Sequence, residues 1–98
     1  SDDERRMKMK IKEGFVIREL ADHYVVVSIS TEKTSFQGMI QLNETGAFLW
    51  KQFSTETDKE SVIKNLLDTY DVTPEQAEKD VENFIQKLNK AGLFCEND

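Results

Sequence analysis

Residues 36–50, FQGMIQLNETGAFLW, join an alternating strand directly to a capped helix. Successive side chains of a strand point to opposite faces, which predicts one buried side and one wetter side. The buried side would hold Phe36, Gly38, Ile40 and Leu42, and the wetter side Gln37, Met39 and Gln41. Asn43 is a favourable N-cap residue, and Glu44 suits the positive end of a helix. The stretch predicts a sheet edge beside a helix, which is a recurrent way of holding an extended peptide and favours a binding module over an enzyme.

The length and composition limit the classes of function. The chain has 98 residues, with 13 basic and 19 acidic side chains and a net charge of -6. This length predicts one small domain, and the negative charge disfavours binding to a phosphate backbone because the basic residues are not gathered in one place. The single Cys95 cannot form an internal disulfide, and no apolar run has the length of a signal peptide or a membrane span. We therefore expect a reducing, cytoplasmic setting without membrane contact.

The chain is expected to divide into three parts. Residues 1–10 are predicted to be a disordered lead-in or a cloning remnant, residues 11–95 a single domain, and residues 96–98 a polar tail. Two strands, Val16–Leu20 and His23–Ser30, are rich in β-branched residues and are predicted to form a hairpin through a two-residue connection. The third strand is the alternating segment Phe36–Leu42.

Three helical patterns follow the third strand. The first helix is predicted from about Glu44 to Phe53. The second opens at Thr57, whose hydroxyl and the Glu60 carboxylate fit a capping box. The third opens at residues 73–76, TPEQ, where proline in the first turn costs no hydrogen bond, and it stops at a left-handed Gly92. Three antiparallel strands followed by three helices make an α+β fold.

Several segments together resemble a known family. They are Gln41-Leu42-Asn43-Glu44-Thr45-Gly46-Ala47 with Trp50, Tyr70-Asp71-Val72, Asp80-Val81 with Phe84, and Leu88 with Gly92-Leu93. Over roughly residues 14–94 this pattern strongly resembles the PqqD-like family. One departure is the first turn between helices, residues 54–56, where many family members carry a glycine and this chain does not.

The resemblance implies a winged helix-turn-helix-like domain of the kind called a RiPP recognition element. RiPPs are ribosomally made peptides that are modified after synthesis. Such domains are non-catalytic and use no cofactor or metal. They hold the leader of a precursor peptide as an added strand along the third strand, in a groove bounded by the third helix. They present the rest of the peptide to a modifying enzyme, often a radical SAM maturase.

The implied groove has two walls in this chain. The strand wall would be Gln37, Met39, Ile40, Gln41 and Leu42, and the helix wall Val81, Phe84, Ile85, Lys87 and Leu88. The spacing of the apolar helical residues fits packing in the core equally well. Phe84 and Met39 are the stronger candidates, because a large aromatic ring and a flexible thioether suit an adaptable apolar pocket. Lys87 and Lys79 would meet an acidic leader or lie solvated on the helix.

Other chemistry has weaker support. His23 has no nucleophilic or metal-binding partner nearby in sequence, and Cys95 lacks the further ligands that a metal site needs. The acidic residues of the third helix read as a solvated face with no pocket; they are Glu75, Glu78, Asp80 and Glu82.

Two alternatives to a peptide adaptor stay open. A winged-helix DNA-binding regulator would share the layout, although the acidic third helix would repel phosphate. A homodimeric interaction module would pair the exposed strand edge with a second copy. An enzyme is the least supported class, because the sequence contains no phosphate loop, cysteine cluster or pair of nucleophile and base.

Overall fold

The computed structural model describes residues 7–28 and 40–94, which form two small antiparallel sheets and three helices. The elements in chain order are β1 Lys8–Met9, β2 Phe15–Leu20, β3 His23–Ser28, β4 Ile40–Leu42, α1 Glu44–Phe53, β5 Thr57–Asp58, α2 Lys59–Thr69 and α3 Pro74–Lys90. The predicted α+β class is confirmed. The larger sheet has the strand order β2-β3-β4, and the smaller sheet pairs β1 with β5.

The smaller sheet corrects two expectations. Lys8 pairs with Asp58 and Met9 with Thr57, so two residues of the expected lead-in belong to the fold. The N-cap of α2 is Asp58 rather than Thr57, and its Oδ1 accepts the Ser61 N–H at 2.7 Å. The physical reason is the pairing with β1, which extends through both Thr57 and Asp58, so the helix begins after Asp58 and this last extended residue caps it.

Local chemistry defines both ends of α3 as predicted. The Thr73 hydroxyl accepts the Gln76 N–H at 3.1 Å, and Pro74 occupies the first turn. Gly92 has a φ of 73°, and the Leu93 N–H donates to the Leu88 carbonyl at 3.0 Å. This is the left-handed turn that closes many helices. It folds the buried Leu93 back against α3.

The core lies between one face of the larger sheet and the three helices. Its largest fully buried side chain is Phe53, whose ring stacks on Phe84 at 5.8 Å between centroids and meets Phe94 edge-on at 5.4 Å. Val26 of the central strand is also completely buried. The sheet therefore contributes one face to a core that is mainly helical.

Polar contacts hold the helices together at the surface of this core. The Lys59 ammonium lies 2.6 Å from a Glu82 carboxylate oxygen, which joins α2 to α3. The Asn65 side-chain amide donates to the Gln52 side-chain oxygen at 2.7 Å and joins α2 to α1. Glu82 is exposed, as expected for the acidic face, but it contributes to helix packing through this pair. Within the described ranges, none of the helices has the length and apolar character needed to cross a bilayer.

Candidate functional site

One edge of β4 carries no strand partner among residues 7–28 and 40–94. Its other edge pairs with β3, where Val25 lies opposite Gln41 and Tyr24 opposite Leu42. Lys87 of α3 reaches the Gln41 carbonyl oxygen with its ammonium at 3.4 Å. The contact comes from α3 rather than from β3, so this carbonyl faces the helix. At least one backbone acceptor of β4 is thus directed toward α3.

A cleft of about 470 Å³ separates β4 from α3. Residues of the β2–β3 hairpin turn and of the start of α1 also line it. The lining residues are Asp22, His23, Gln41, Leu42, Asn43, Thr45, Gly46, Leu49, Asp80, Asn83, Phe84 and Lys87. Four of the residues expected in a groove are brought together here: Gln41, Leu42, Phe84 and Lys87.

The junction between β4 and α1 shapes the base of the cleft. The Asn43 side-chain oxygen accepts the Gly46 N–H at 2.8 Å and caps α1, as the sequence predicts. Gly46 lies so near β4 that an added Cβ would approach the Leu42 Cβ to 3.0 Å. That distance is tighter than nine in ten real Cβ contacts. Glycine at this position therefore allows the helix to start tightly against the strand.

The cleft has an apolar floor and a polar rim. Leu42, Leu49 and Phe84 form the floor and are 4%, 1% and 5% exposed. Phe84 stacks on Phe53, which joins the floor to the core. The rim residues Gln41 and Lys87 are exposed. Such a surface offers apolar contact below and hydrogen bonds around it, which is the usual build of a binding site.

The other expected groove residues lie elsewhere. Val81 and Leu88 have no exposed surface, so packing in the core accounts for both. Ile40 and Ile85 are half-buried, pack against the core and do not line the cleft. Gln37 and Met39 lie outside the described residues.

Sequence reasoning missed part of the helix wall. Asp80 was expected on a solvated face with no pocket, but it is half-buried and lines the cleft beside Asn83. The cleft residues of α3 are spaced at 80, 83, 84 and 87, which places them on one face of a helix. A stripe defined only by apolar residues selects 81, 84, 85 and 88 instead. The polar residues Asp80, Asn83 and Lys87, which recur at helical spacing beside the apolar stripe, were the sequence signal for this wall.

Two further lining residues come from the hairpin turn. His23 Nδ1 lies 3.0 Å from an Asp22 carboxylate oxygen, and this hydrogen bond holds the pKa of Asp22 below its ordinary value. Asp22 is therefore ionised at neutral pH. In the part of the chain that the structure describes, no group of three or more histidine, cysteine, aspartate or glutamate side chains is placed to hold a metal ion.

Comparison with known families identifies the chain. The family described as Coenzyme PQQ synthesis protein D (PqqD) matches residues 23–93. The chain belongs to the PqqD family. The matched PqqD region runs from the start of β3 to the turn after α3, so it includes β4 and both walls of the cleft.

One solved structure matches the fold of this PqqD-family chain closely. It is described as TbiB1 in complex with the TbiA(beta) leader peptide and superposes with a TM-score of 0.66. The match covers 91% of this chain and 98% of TbiB1 at 19% sequence identity, a likeness that establishes a shared fold. A comparison with curated proteins gives no match.

Proposed function

We propose that this PqqD-family chain is a non-catalytic adaptor that binds the leader of a ribosomally made precursor peptide. The leader would add as a strand to the edge of β4 and lie in the cleft against α3. The adaptor would then present the rest of the peptide to a modifying enzyme, such as a radical SAM maturase, in the cytoplasm. The observation that carries the proposal is the edge of β4 facing α3 across a cleft with an apolar floor.

Strand addition divides affinity from specificity. Backbone groups of an edge strand pair with any extended peptide, whereas the pockets beside the strand discriminate between side chains. In this chain the Gln41 carbonyl would accept an N–H from the leader, and Phe84 would contact one of its apolar side chains. TbiB1, which shares this fold, is described in complex with a leader peptide, and this supports leader binding as the function of this chain.

DNA binding is the weaker reading of the fold. In a winged helix-turn-helix-like arrangement, α3 would enter the major groove. The exposed surface of α3 includes Glu75 and Glu82 as well as Lys79 and Lys90, and the chain has a net charge of -6. Such a mixed helix would have little affinity for a phosphate backbone.

A second copy of this chain could also pair with β4, which makes a homodimer an outcome to test.

The first experiment is an amide NMR titration of the isotope-labelled protein with the leader segment of a short peptide encoded beside its gene. We expect shifts concentrated on residues 40–42 and 80–87, with little change at the far end of α1. The Lys79→Ala variant serves as a control and should show the same shifts as the unchanged protein, because Lys79 is exposed on α3 outside the cleft.

Two results would count against the adaptor. Shifts confined to surfaces away from the cleft would show that the groove is misplaced. A well-dispersed spectrum that no encoded leader perturbs, together with a mass in solution of two chains, would favour the homodimer instead.

A further inference from the structure

The charged groups of the cleft are separated along its length. Lys87 lies beside the Gln41 carbonyl, whereas Asp80 lies seven residues earlier on α3, about 10 Å away at the rise of a helix. Asp22 is at the hairpin turn, beyond the Tyr24–Leu42 pair in the register of the sheet. Among the described residues of the lining, His23 is the one further ionisable group. The cleft therefore has a positive end near Gln41 and a negative end toward Asp80 and Asp22.

The positive end is held by a weak contact. The 3.4 Å distance between the Lys87 ammonium and the Gln41 carbonyl is longer than a normal hydrogen bond of this kind. A backbone N–H of an added strand would replace the Lys87 ammonium as the donor to the Gln41 carbonyl. The ammonium, which has three donors, would then lie beside the peptide and bind an acidic side chain there.

The negative end has unused capacity for hydrogen bonds. One Asp80 oxygen accepts the Gln76 side-chain amide at 2.8 Å, and an ionised carboxylate has further lone pairs on both oxygens. The Asp22 side chain is 92% exposed and ionised. A lysine or arginine beside either of these carboxylates would find an acceptor without displacing any core residue.

We propose that the cleft selects a leader segment of defined charge order, an inference that rests on the proposed function. An acidic residue lies near Gln41 and Lys87, and a basic residue lies near Asp80 and Asp22. An extended strand rises about 3.3 Å per residue, so the two charges are about two to four positions apart. An apolar side chain between them covers Phe84. Lys87 thus favours one register of the bound leader along β4 and adds to its affinity.

A displayed library of random 12-residue peptides, panned against the intact protein, tests the charge order directly. We expect the enriched sequences to carry an acidic and a basic residue at this spacing, with an apolar residue between them. Lys87→Met removes the preference for the acidic residue and keeps the preference for the basic one. The Asp22→Asn/Asp80→Asn double variant does the reverse. Lys79→Met and Glu75→Gln, which change charges of α3 outside the cleft, leave both preferences intact.

Synthetic peptides from the enriched set give the magnitude. Reversing one charge of such a peptide weakens its affinity about two- to fivefold, the range expected for a partly exposed ion pair, and added salt reduces the difference. Circular dichroism and NMR dispersion of each variant establish that it is folded.

The outcomes separate the two proposals. Enrichment of peptides without a charge pattern overturns the charge order and leaves peptide binding in place. Enrichment no greater than for an unrelated protein contradicts the adaptor itself.

Discussion

The chain contains two junctions at which a strand runs into a capped helix without a linker. At the first, β4 ends at Leu42, and Asn43 caps α1; at the second, β5 ends at Asp58, which itself caps α2. β4 pairs with β3 and β5 with β1, and each of the two strands has a second edge without a strand partner in residues 7–28 and 40–94. β4 lines the cleft against α3, whereas β5 does not. The same local chemistry thus occurs once beside the cleft and once away from it, and the position relative to α3, rather than the cap, makes the difference.

The largest expected effect separates the residues that precede the two caps. Leu42 is 4% exposed in the core, so Leu42→Ala should lower the free energy of unfolding by about 2–5 kcal/mol. Thr57→Ala, at the equivalent place in the half-buried β5, should cost well under that. Urea unfolding of both variants measures the difference. Equal losses of unfolding free energy would mean that the two junctions contribute equally to stability.

Gly46 and Ser61 distinguish the junctions at the third residue after each cap. A Cβ at Gly46 would lie about 3.0 Å from the Leu42 Cβ, so the buried Leu42 would have to shift, and Gly46→Ala should destabilise the protein by about 1–2 kcal/mol despite the better helix propensity of alanine. Ser61 is exposed and its hydroxyl interacts with Asp58, so Ser61→Ala should change the free energy of unfolding by no more than about 0.5 kcal/mol. Thermal unfolding compares them. A stabilised Gly46→Ala variant would refute the close approach of α1 to β4.

The caps themselves differ in their response to pH. Replacing Asp58 or Asn43 by alanine should each cost about 1 kcal/mol at pH 7, because each side chain accepts a helix N–H. The hydrogen bond from the Ser61 N–H, helped by the Ser61 hydroxyl and the nearby Lys8 charge, holds the pKa of Asp58 below its ordinary value. Its stabilisation is therefore complete above the unfolded pKa near 3.8 and is lost as the pH falls through the lower folded pKa.

Urea unfolding at pH 7 and at about pH 2.5 separates the two caps. The Asp58→Ala penalty should shrink at the lower pH, and the Asn43→Ala penalty should not follow it, because the amide does not titrate. A constant Asp58→Ala penalty would contradict the charged cap.

The smallest effects on stability separate the two lysines. Lys8 lies 3.6 Å from Asp58 with its side chain 59% exposed, so Lys8→Met should change the free energy of unfolding by less than about 1 kcal/mol. Lys87→Met should change it by about 0.5 kcal/mol or less. Calorimetric titration with an encoded leader should nevertheless distinguish them, because only Lys87 borders the cleft. Equal leader affinities for Lys8→Met and Lys87→Met would show that Lys87 does not contact the leader.

Local signals predicted the parts of the fold that local chemistry controls. Thr73, Pro74 and Gly92 mark the ends of α3 because each acts through its own backbone and its nearest neighbours. β1 and β5 were not predicted, because two residues are too few to show alternation and the two strands are far apart in sequence. Thr57 and Asp58 are both good caps, and the tertiary pairing of β5 decided between them.

The site was predicted less completely than the fold. The family pattern led to Gln41, Phe84 and Lys87, which do line the cleft. Asp80 was overlooked, because a search for apolar periodicity passes over the polar residues on the adjacent helical face. Asp22 lines the cleft through the tertiary position of the hairpin turn, which no local pattern encodes.

The turn at Gly92 also sets where the chain can be extended. The Leu93 carbonyl accepts the Lys12 N–H at 2.7 Å, and Ile11 bridges to Phe94 while donating its N–H to the Phe53 carbonyl at 2.9 Å. Both ends of the domain are therefore tied to the last residue of α1, one helix length of about 15 Å from the cleft at its first turn. Under the proposed function, an enzyme tethered near Ile11 or Phe94 would attach at the end of α1 away from the cleft. Such a tether would raise the effective concentration of the bound precursor at the enzyme without adding any new contact.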